Sequence, residues 1–571
     1  MQLNHKINHL VFRSVLLLCG VILSLSSHAK TVELTTSQGK LIGTSSATNN
    51  DISVFKGIPF AKPPVGSRRW THSELADTWE ASRLATQFSP ACMQHPYPEG
   101  TFFSRPSLPT SEDCLYLNIW SGAKAEEKLP VMLWIHGGAL TRGTAAISAY
   151  DGTALASKGV IVVSINYRLD VFGYFSHPEL KLGNGQPAAN FGTSDQVTAL
   201  RWVKKYISEY GGDPDNVTIF GCSAGAACIH ALVVSPLAKG LFHKAIPESG
   251  SLYFPCRGLA EPLHGAQTGE ELGLEFAQSA GANSLSDLRN IPADQLVQIA
   301  DTTDSGDFYL KSGEIVDGWV LPDQPLHISR RGEQNPVSIL AGFTANDGSV
   351  VALLGYASSI PETAEAYEAE IKKRYGDLAD QFLALYPASN IDESFYDSLR
   401  DRAFGWASES WVRHAEQVGA SAYLYCFAHI PPTGHVCSPI PGSDRQREEG
   451  AAHGTEQVYV LNDPNSHPFS DQYPPTENDF IMADIISDYW VAFAKSGTPE
   501  AKGQPTWQPY TDAARHYIRF EDAGAHPGKD LLPGMWELMD EDINRRLTMP
   551  GVNRDYYAVG ISSPVLPTGR R

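Results

Sequence analysis

The stretch TIFGCSAGAACIH, residues 218–230, sets Ser223 between Gly221 and Gly225 and puts Cys222 directly before it. Gly-x-Ser-x-Gly between a β-branched run and a helix-compatible run is the pattern of a strand–turn–helix elbow. The glycines permit a tight, close-packed turn, and the serine hydroxyl is left exposed at its apex. A hydroxyl attacks an acyl carbon efficiently only when a histidine takes its proton, and the imidazolium so formed needs a carboxylate partner. On folds with this elbow the three groups follow the chain order Ser, then Asp or Glu, then His. Asp347, in SILAGFTANDGS, and His453, in GAAHGTEQVYV, stand in that order, each in a glycine-containing loop. The chain has 18 histidines, so order alone does not single these residues out.

Such a site needs a frame. The runs LPVMLWIHGG, GVIVVSINYR, DNVTIFG, NPVSILAGF and SAYLYCF are short, apolar and β-branched, with no polar face. Strands of a parallel sheet covered on both sides by helices read this way. Between them lie helix-like segments, the clearest being SDQVTALRWVKKYISEY, with Val197, Leu200, Val203 and Ile207 at helical spacing. Strands alternating with helices predict an α/β fold. Glycine- and proline-rich loops are spread through the chain with no internal repeat, which predicts one large domain with insertions over residues 30–571.

These stretches identify a resemblance to the type-B carboxylesterases, the cholinesterase-like branch of the α/β-hydrolases. VFKGIPFAKPPVGSRRW is similar to the family's N-terminal segment, SEDCLYLNIW to its second signature and GGDPDNVTIFGCSAGA to its nucleophile signature; SPLAKGLFHKAIPESGS and SDYWVAFAKSGTP resemble later helices. The resemblance implies an α/β-hydrolase fold with insertions around an active-site gorge. It further implies Ser223 as nucleophile, Asp347 as acid where relatives more often have Glu, and His453 as base. WIHGGALTRGT resembles the glycine-rich oxyanion loop, which assigns the donors to the backbone N–H groups of Gly138, Ala139 and Ala224. Ala139 stands where many relatives have a third glycine and Leu140 where they often have an aromatic residue. Cys92 and Cys114 fall where the family has its first disulfide. A second bond, Cys426 to Cys437, would stiffen the approach to His453. Cys256 falls at an acyl-pocket position, Arg142 stands in the oxyanion loop where it could face an acidic ester, and Asp317 in IVDGWVLP is a further pocket candidate. Ser104 replaces the aromatic residue that cholinesterases present to a quaternary ammonium, which disfavours choline esters, and Phe102 and Phe103 stand beside it.

Relatives usually carry Glu directly before the nucleophile. Cys222 at that place removes a carboxylate from the neighbourhood of the histidine, so the imidazole is expected to lose its proton more easily. The competing reading is a disulfide from Cys222 to Cys256 or Cys437, similar to the feruloyl esterases and tannases, although Gly454 stands after His453 where those enzymes have the second cysteine.

The remaining features bound the class. The 571 residues are 42% hydrophobic and 19% charged, an ordinary globular composition, and the net charge of −20 argues against a nucleic-acid partner. The first residues combine Lys6 and Arg13, an apolar run from Val15 to Leu25 and Ser27-His28-Ala29, which predicts a signal peptide cut after Ala29 and a secreted or periplasmic protein. The run falls short of the roughly 20 apolar residues that span a bilayer, so no stable membrane insertion is expected. A lipid anchor on Cys19 is the weaker reading, because Leu18 stands where a small residue is needed. No Cys-x-x-Cys pair suggests a zinc site, and the chemistry calls for no metal or cofactor. The expectation is a serine carboxylesterase acting on a small-molecule ester, its oligomeric state unread. A hydrolase of an amide or lactone and, further off, a non-catalytic binding module are the alternatives.

Overall fold

The computed structural model describes residues 29–571 apart from 97–108, 125–126, 264–265, 303–312, 353–359, 441–444, 548–558, 561–562 and 567–571. The signal-peptide reading, with Cys19, and the pocket residues Phe102, Phe103 and Ser104 therefore fall outside the described residues, except for Ala29.

The apolar runs form one large sheet. Its strands are β1 (Thr31–Thr36), β2 (Gly39–Ser45), β3 (Ser53–Pro59), β4 (Tyr116–Ser121), β5 (Leu129–Ile135), β6 (Ile161–Ile165), β7 (Gly212–Cys222), β8 (Lys244–Glu248), β9 (Ser338–Thr344), β10 (Ala422–Phe427), β11 (His516–Glu521) and β12 (Gly524–Lys529). They lie in the order β1-β2-β3-β4-β6-β5-β7-β8-β9-β10-β11-β12, with a short strand at Arg83–Leu84 beside β2. From β6 through β11 every neighbouring pair is parallel, and the antiparallel pairs lie at the two ends.

Successive side chains point to opposite faces of a strand. Val131, Leu133 and Ile135 enter one core with Ile339, Ala341 and Phe343, while Met132, Trp134 and Leu340 enter the other. Both faces are covered over the central strands, which is why β5, β6, β9 and β10 show no polar alternation, whereas β1, β2 and β11 at the ends alternate. Helix α1 (Phe191–Tyr206) packs Val197, Leu200 and Val203 into the first core beside helix α2 (Ala224–Val234). Helix α3 (Glu477–Ser496) packs Met482, Ile486, Tyr489, Trp490 and Phe493 into the second. A capping box between Thr476 and Asp479 starts α3, and Gly497 ends it at φ 82°. Helix α4 (Met535–Arg546) closes the far end, where Asp542 takes hydrogen bonds from Arg402 at 2.7 Å and Arg546 at 2.8 Å.

The C-terminal ends of β7, β8, β9 and β10 lead directly or by a long loop to Ser223, Ser249, Asp347 and His453, so four adjacent parallel strands serve one edge of the sheet. Open parallel sheets bind ligands at that edge.

Candidate active site

Ser223 is the N-cap of α2, at φ 61° and ψ −124°. A non-glycine residue held in such a region carries about 1–3 kcal/mol of strain that the surroundings must offset. Its backbone N–H donates to Glu248 O at 2.9 Å, which ties the elbow to β8. The two motif glycines are needed for close approach: a Cβ at Gly221 or at Gly225 would collide with the carbonyl oxygen of Ile135 at the end of β5. Strand β7 and helix α2 therefore meet β5 closely enough to expose the serine.

The segment after β5 comes up against this elbow. A Cβ on Gly137 would lie 3.2 Å from Ser223 Cβ. Gly138, Ala139 and Leu140 all have positive φ, at 110°, 59° and 63°. Ala139 and Leu140 each carry about 1–2 kcal/mol for the left-handed conformation that a glycine would adopt freely. The turn is closed by the N–H groups of Thr141 and Arg142, which donate to Gly138 O at 3.2 and 3.0 Å, and by Asp170 N–H, which donates to Leu140 O at 2.7 Å. His136 supports the turn from below: its ring stacks on Tyr167 at 4.5 Å and its Nδ1 lies 2.8 Å from Gly137 O. Burial pushes its pKa down to about 4, so it is a neutral prop. Among the described residues the N–H groups of Gly138 and Ala139 have no acceptor, and that of Ala224 belongs to the first turn of α2, where N–H groups lack intrahelical partners.

His453 Nδ1 lies 2.6 Å from Asp347 Oδ1. That contact assigns the proton to Nδ1 and leaves Nε2 as the basic nitrogen. Asp347 is fully buried, and its Oδ2 accepts from Thr344 N–H and from the Ser249 hydroxyl, both at 2.8 Å. Asn346 N–H donates to Ala451 O at 2.9 Å, holding the two loops together. The His453 ring packs on Phe404 at 5.2 Å. Burial alone would lower the pKa of His453, but the charge and hydrogen bond of Asp347 outweigh it and raise the group above its usual value, with an ionised Glu456 adding in the same sense.

Three further acceptors and one thiol surround this pair. Ser249 Oγ lies 3.2 Å from Glu456 Oε1, and Cys222 Sγ lies 3.9 Å from the same oxygen. Glu248 accepts from Trp490 Nε1 at 2.9 Å. Burial pushes Glu248 up to about 8, and burial with Asp347 and Glu248 nearby does the same for Glu456. Cys222 is a free, buried thiol; burial first, then Glu456, Glu248 and Asp347, hold it well above the ordinary thiol range. A thiol kept protonated is no nucleophile. The neutral side chain at 222 thus stands among Asp347, Glu248 and Glu456, of which Asp347 and Glu456 act on His453. Sequence reasoning passed over Ser249, Glu248 and Glu456; the only signal for Glu456 was its place three residues after His453, where a turn brings the chain back.

The other site expectations fare differently. Cys92 and Cys114 form a disulfide. Cys426 and Cys437 do not: Cys426 is a free thiol buried in the first core on β10, whereas Cys437 is a free thiol exposed on a short strand, Cys437–Pro439. Cys222 is bonded to neither Cys256 nor Cys437. Cys256 is enclosed with Ala227, Ala231, Leu252, Leu321 and Ile328, its backbone clamped by Gln324 at 2.8 and 2.6 Å, so it fills apolar space beside α2. Asp317 organises a turn: one oxygen takes the N–H groups of Trp319 and Leu321, both at 2.9 Å, and the other takes Asn190 Nδ2 at 3.0 Å. Leu140 is buried in the turn after β5, and Arg142 is partly buried.

The carboxylesterase family profile matches residues 30–530. Fumonisin B1 esterase of Sphingopyxis macrogoltabida is 33% identical over 478 residues, 81% of this chain and 83% of that protein. Para-nitrobenzyl esterase of Bacillus subtilis is 33% identical over 495 residues, covering 85% and 94%. Among solved structures, a PNB esterase superposes with a TM-score of 0.73 at 29% identity over 89% of this chain and 99% of its own. A Geobacillus stearothermophilus carboxylesterase gives 0.71 at 30% over the same shares. Fold and relatives together define an α/β-hydrolase that cleaves carboxylic esters. The chain belongs to the carboxylesterase family.

Proposed function

We propose that the protein is an exported serine esterase of one catalytic domain, residues 30–571, acting on a small-molecule ester. Ser223 Oγ attacks the carbonyl carbon while His453 Nε2 takes its proton, and Asp347 orients and charge-balances the imidazolium. The oxyanion is met by the N–H groups of Gly138, Ala139 and Ala224, each donor contributing about 2.7–4 kcal/mol to the barrier in comparable sites. Collapse of the tetrahedral intermediate expels the alcohol, protonated by His453. Water then attacks the acyl-serine by the same route in reverse. The observation that carries this reading is the 2.6 Å His453–Asp347 contact in a loop that reaches the residue before the nucleophile, where a Cβ on Gly454 would lie 3.9 Å from Cys222 Sγ. Export is supported by the basic–apolar–small pattern of residues 1–29 and by the Cys92–Cys114 bond, which suits an oxidising compartment. Among the described residues no helix is long and apolar enough to cross a membrane.

The test is Ser223→Ala. Turnover of an aryl ester is expected to fall by about 10⁶, with an unchanged thermal melt and loss of fluorophosphonate labelling. Near-parental turnover in this variant would overturn the assignment.

A further inference from the structure

The turn after β5 is gripped from outside by one side chain, that of Gln94. Its Oε1 accepts the Gly143 N–H at 2.9 Å, and its Nε2 donates to Gly143 O at 2.8 Å. Two residues of an antiparallel pair exchange bonds in this way; here a side-chain amide does the work of the second strand. Among the described residues, the N–H and C=O of Gly143 have no other partner. The second amide proton of Gln94 goes to Cys92 O at 3.0 Å. A side-chain amide has one acceptor oxygen and two N–H donors, so its orientation is fixed. Turned over, it would set its NH₂ against the Gly143 N–H and its oxygen against two carbonyls. Gly143 itself stands at φ 118°, and a Cβ there would collide with His136 Nδ1 and Gly137 O. The clamped residue therefore bears directly on the start of the turn, and the exit of the turn is held against its entrance.

We propose that Gln94 is a positioning residue for the oxyanion donors: it carries the rigidity of the disulfide-closed segment to the turn and keeps the Gly138 and Ala139 N–H groups in place. Gln94 touches no reacting atom and acts through Gly143. Its own anchorage is firm. Cys92, two residues earlier, is bonded to Cys114, and Ala91–Cys92 pairs in parallel with Thr110–Ser111. Asn166, just after β6, donates to Ser89 Oγ and Pro90 O, both at 3.2 Å, and accepts the Ala145 N–H at 2.8 Å. The segments 89–94 and 143–145 are thus tied together at two points and to the sheet at one. The turn needs such support, because Ala139 and Leu140 are held at positive φ and strained backbone persists only where its surroundings over-determine it. Its internal bonds close it on Gly138 O, Asp170 N–H anchors its middle at Leu140 O, and Gln94 anchors its exit. Donors stabilise a developing oxyanion to the extent that they are already in position when the charge forms.

This proposal rests on the serine-esterase reading, and the two fail separately: activity in Ser223→Ala sinks that reading, whereas the Gln94 variants bear on the clamp alone. Parent, Gln94→Ala and Gln94→Glu are compared on p-nitrophenyl acetate, with rates expressed per site titrated by a fluorophosphonate so that unfolded protein does not count. Each is also inhibited with an aryl trifluoromethyl ketone. Ser223 Oγ adds to the ketone carbon, its proton passes to His453, and the carbonyl oxygen becomes an oxyanion in the same place as that of the reaction. Gln94→Ala is expected to lower kcat by about thirtyfold with KM within about threefold of the parent, and to weaken the ketone by about the same factor as kcat. Gln94→Glu keeps the size of the side chain and the acceptor for Gly143 N–H, but its carboxylate has no proton for Gly143 O or Cys92 O. It is expected to lose at least as much as Gln94→Ala. Parental kcat in Gln94→Ala overturns the proposal, since the turn then holds itself. Parental kcat in Gln94→Glu overturns it as well, because filling the space would then suffice. A fall in kcat with unchanged inhibition by the ketone places the effect away from the oxyanion and also overturns it.

Discussion

Asp195 and Asp542 are buried as completely as Glu248 and Glu456, at 0 to 1% exposure, yet they meet different partners. Asp195 receives Arg168 through its backbone N–H, Nε and Nη2, at 3.0, 2.8 and 2.7 Å, and Asp542 sits between Arg402 and Arg546. The forked guanidinium matches a carboxylate in geometry and charge, so these ion pairs tie distant segments together. In the site no arginine answers the acids; indole, hydroxyl and thiol groups do. The difference separates acids that hold the fold from acids whose protons can bear on the reaction.

The largest effect expected on this contrast is at Asp347. Asp347→Asn should lower kcat by about 10⁴, and the acid limb of the residual activity should move to lower pH, because the charge that holds His453 up is gone. Asp317→Asn is the matched control: its carboxylate serves a turn, so thermal stability should fall while kcat stays near the parental value. Steady-state kinetics and melts on both variants decide, and exchanged behaviours would show that the wrong acid has been assigned to His453. On the structural side, Asp542→Ala takes the carboxylate from between two buried arginines. Denaturant melts should register a loss of about 3–5 kcal/mol, with unchanged kcat per folded molecule; a large kinetic effect would erase the distinction between the two groups of acids.

Smaller effects sharpen it. Cys222→Glu adds a carboxyl where a neutral thiol stands, so the midpoint of the acid limb in kcat/KM should rise by about one pH unit; a fixed or falling midpoint would show that the added group stays neutral. Glu248→Gln probes stability. With a folded pKa of about 8, well above that of the unfolded side chain, Glu248 keeps a proton in the folded state that the unfolded chain has released. Stability is therefore lost as pH rises from about 4.3 toward 8, and is level beyond. The variant should show a shallower decline in Tm across that window, by a few degrees. Parallel Tm curves for parent and variant would show that Glu248 does not hold an extra proton in the folded state.

The central strands were legible because they are buried on both faces, and that burial is written locally as an unbroken apolar run. The elbow was legible for the same reason: Gly221 and Gly225 answer to one nearby carbonyl oxygen, that of Ile135. Ser249 and Glu456 were not, because their meaning depends on β8, β9 and β10 lying side by side, and no local pattern in ESGS or HGTE states that order. The turn at Asp317 was hidden for a related reason. A carboxylate in a loop looks available until its acceptor sites are counted, and here Trp319, Leu321 and Asn190 occupy them. Cys426 and Cys437 are near in sequence, but the strand directs one thiol inward while the other stands in solvent.

The order β7, β8, β9, β10 has a further consequence for how such a protein can diversify. Ser223, Ser249 and Asp347 each follow the end of a strand, and neighbouring strands lie about 4.8 Å apart, so the spacing of these members is set by backbone pairing and not by the lengths of the connections. The chain between Glu248 and Ser338, and again between Asp347 and Ala422, leaves the sheet and returns to it. Insertions, deletions or exchanges in those excursions can reshape what reaches Ser223 while Ser223, Ser249 and Asp347 keep their distances. On the proposed reading, substrate range can change in the excursions while the groups at the edge of the sheet stay where backbone pairing puts them.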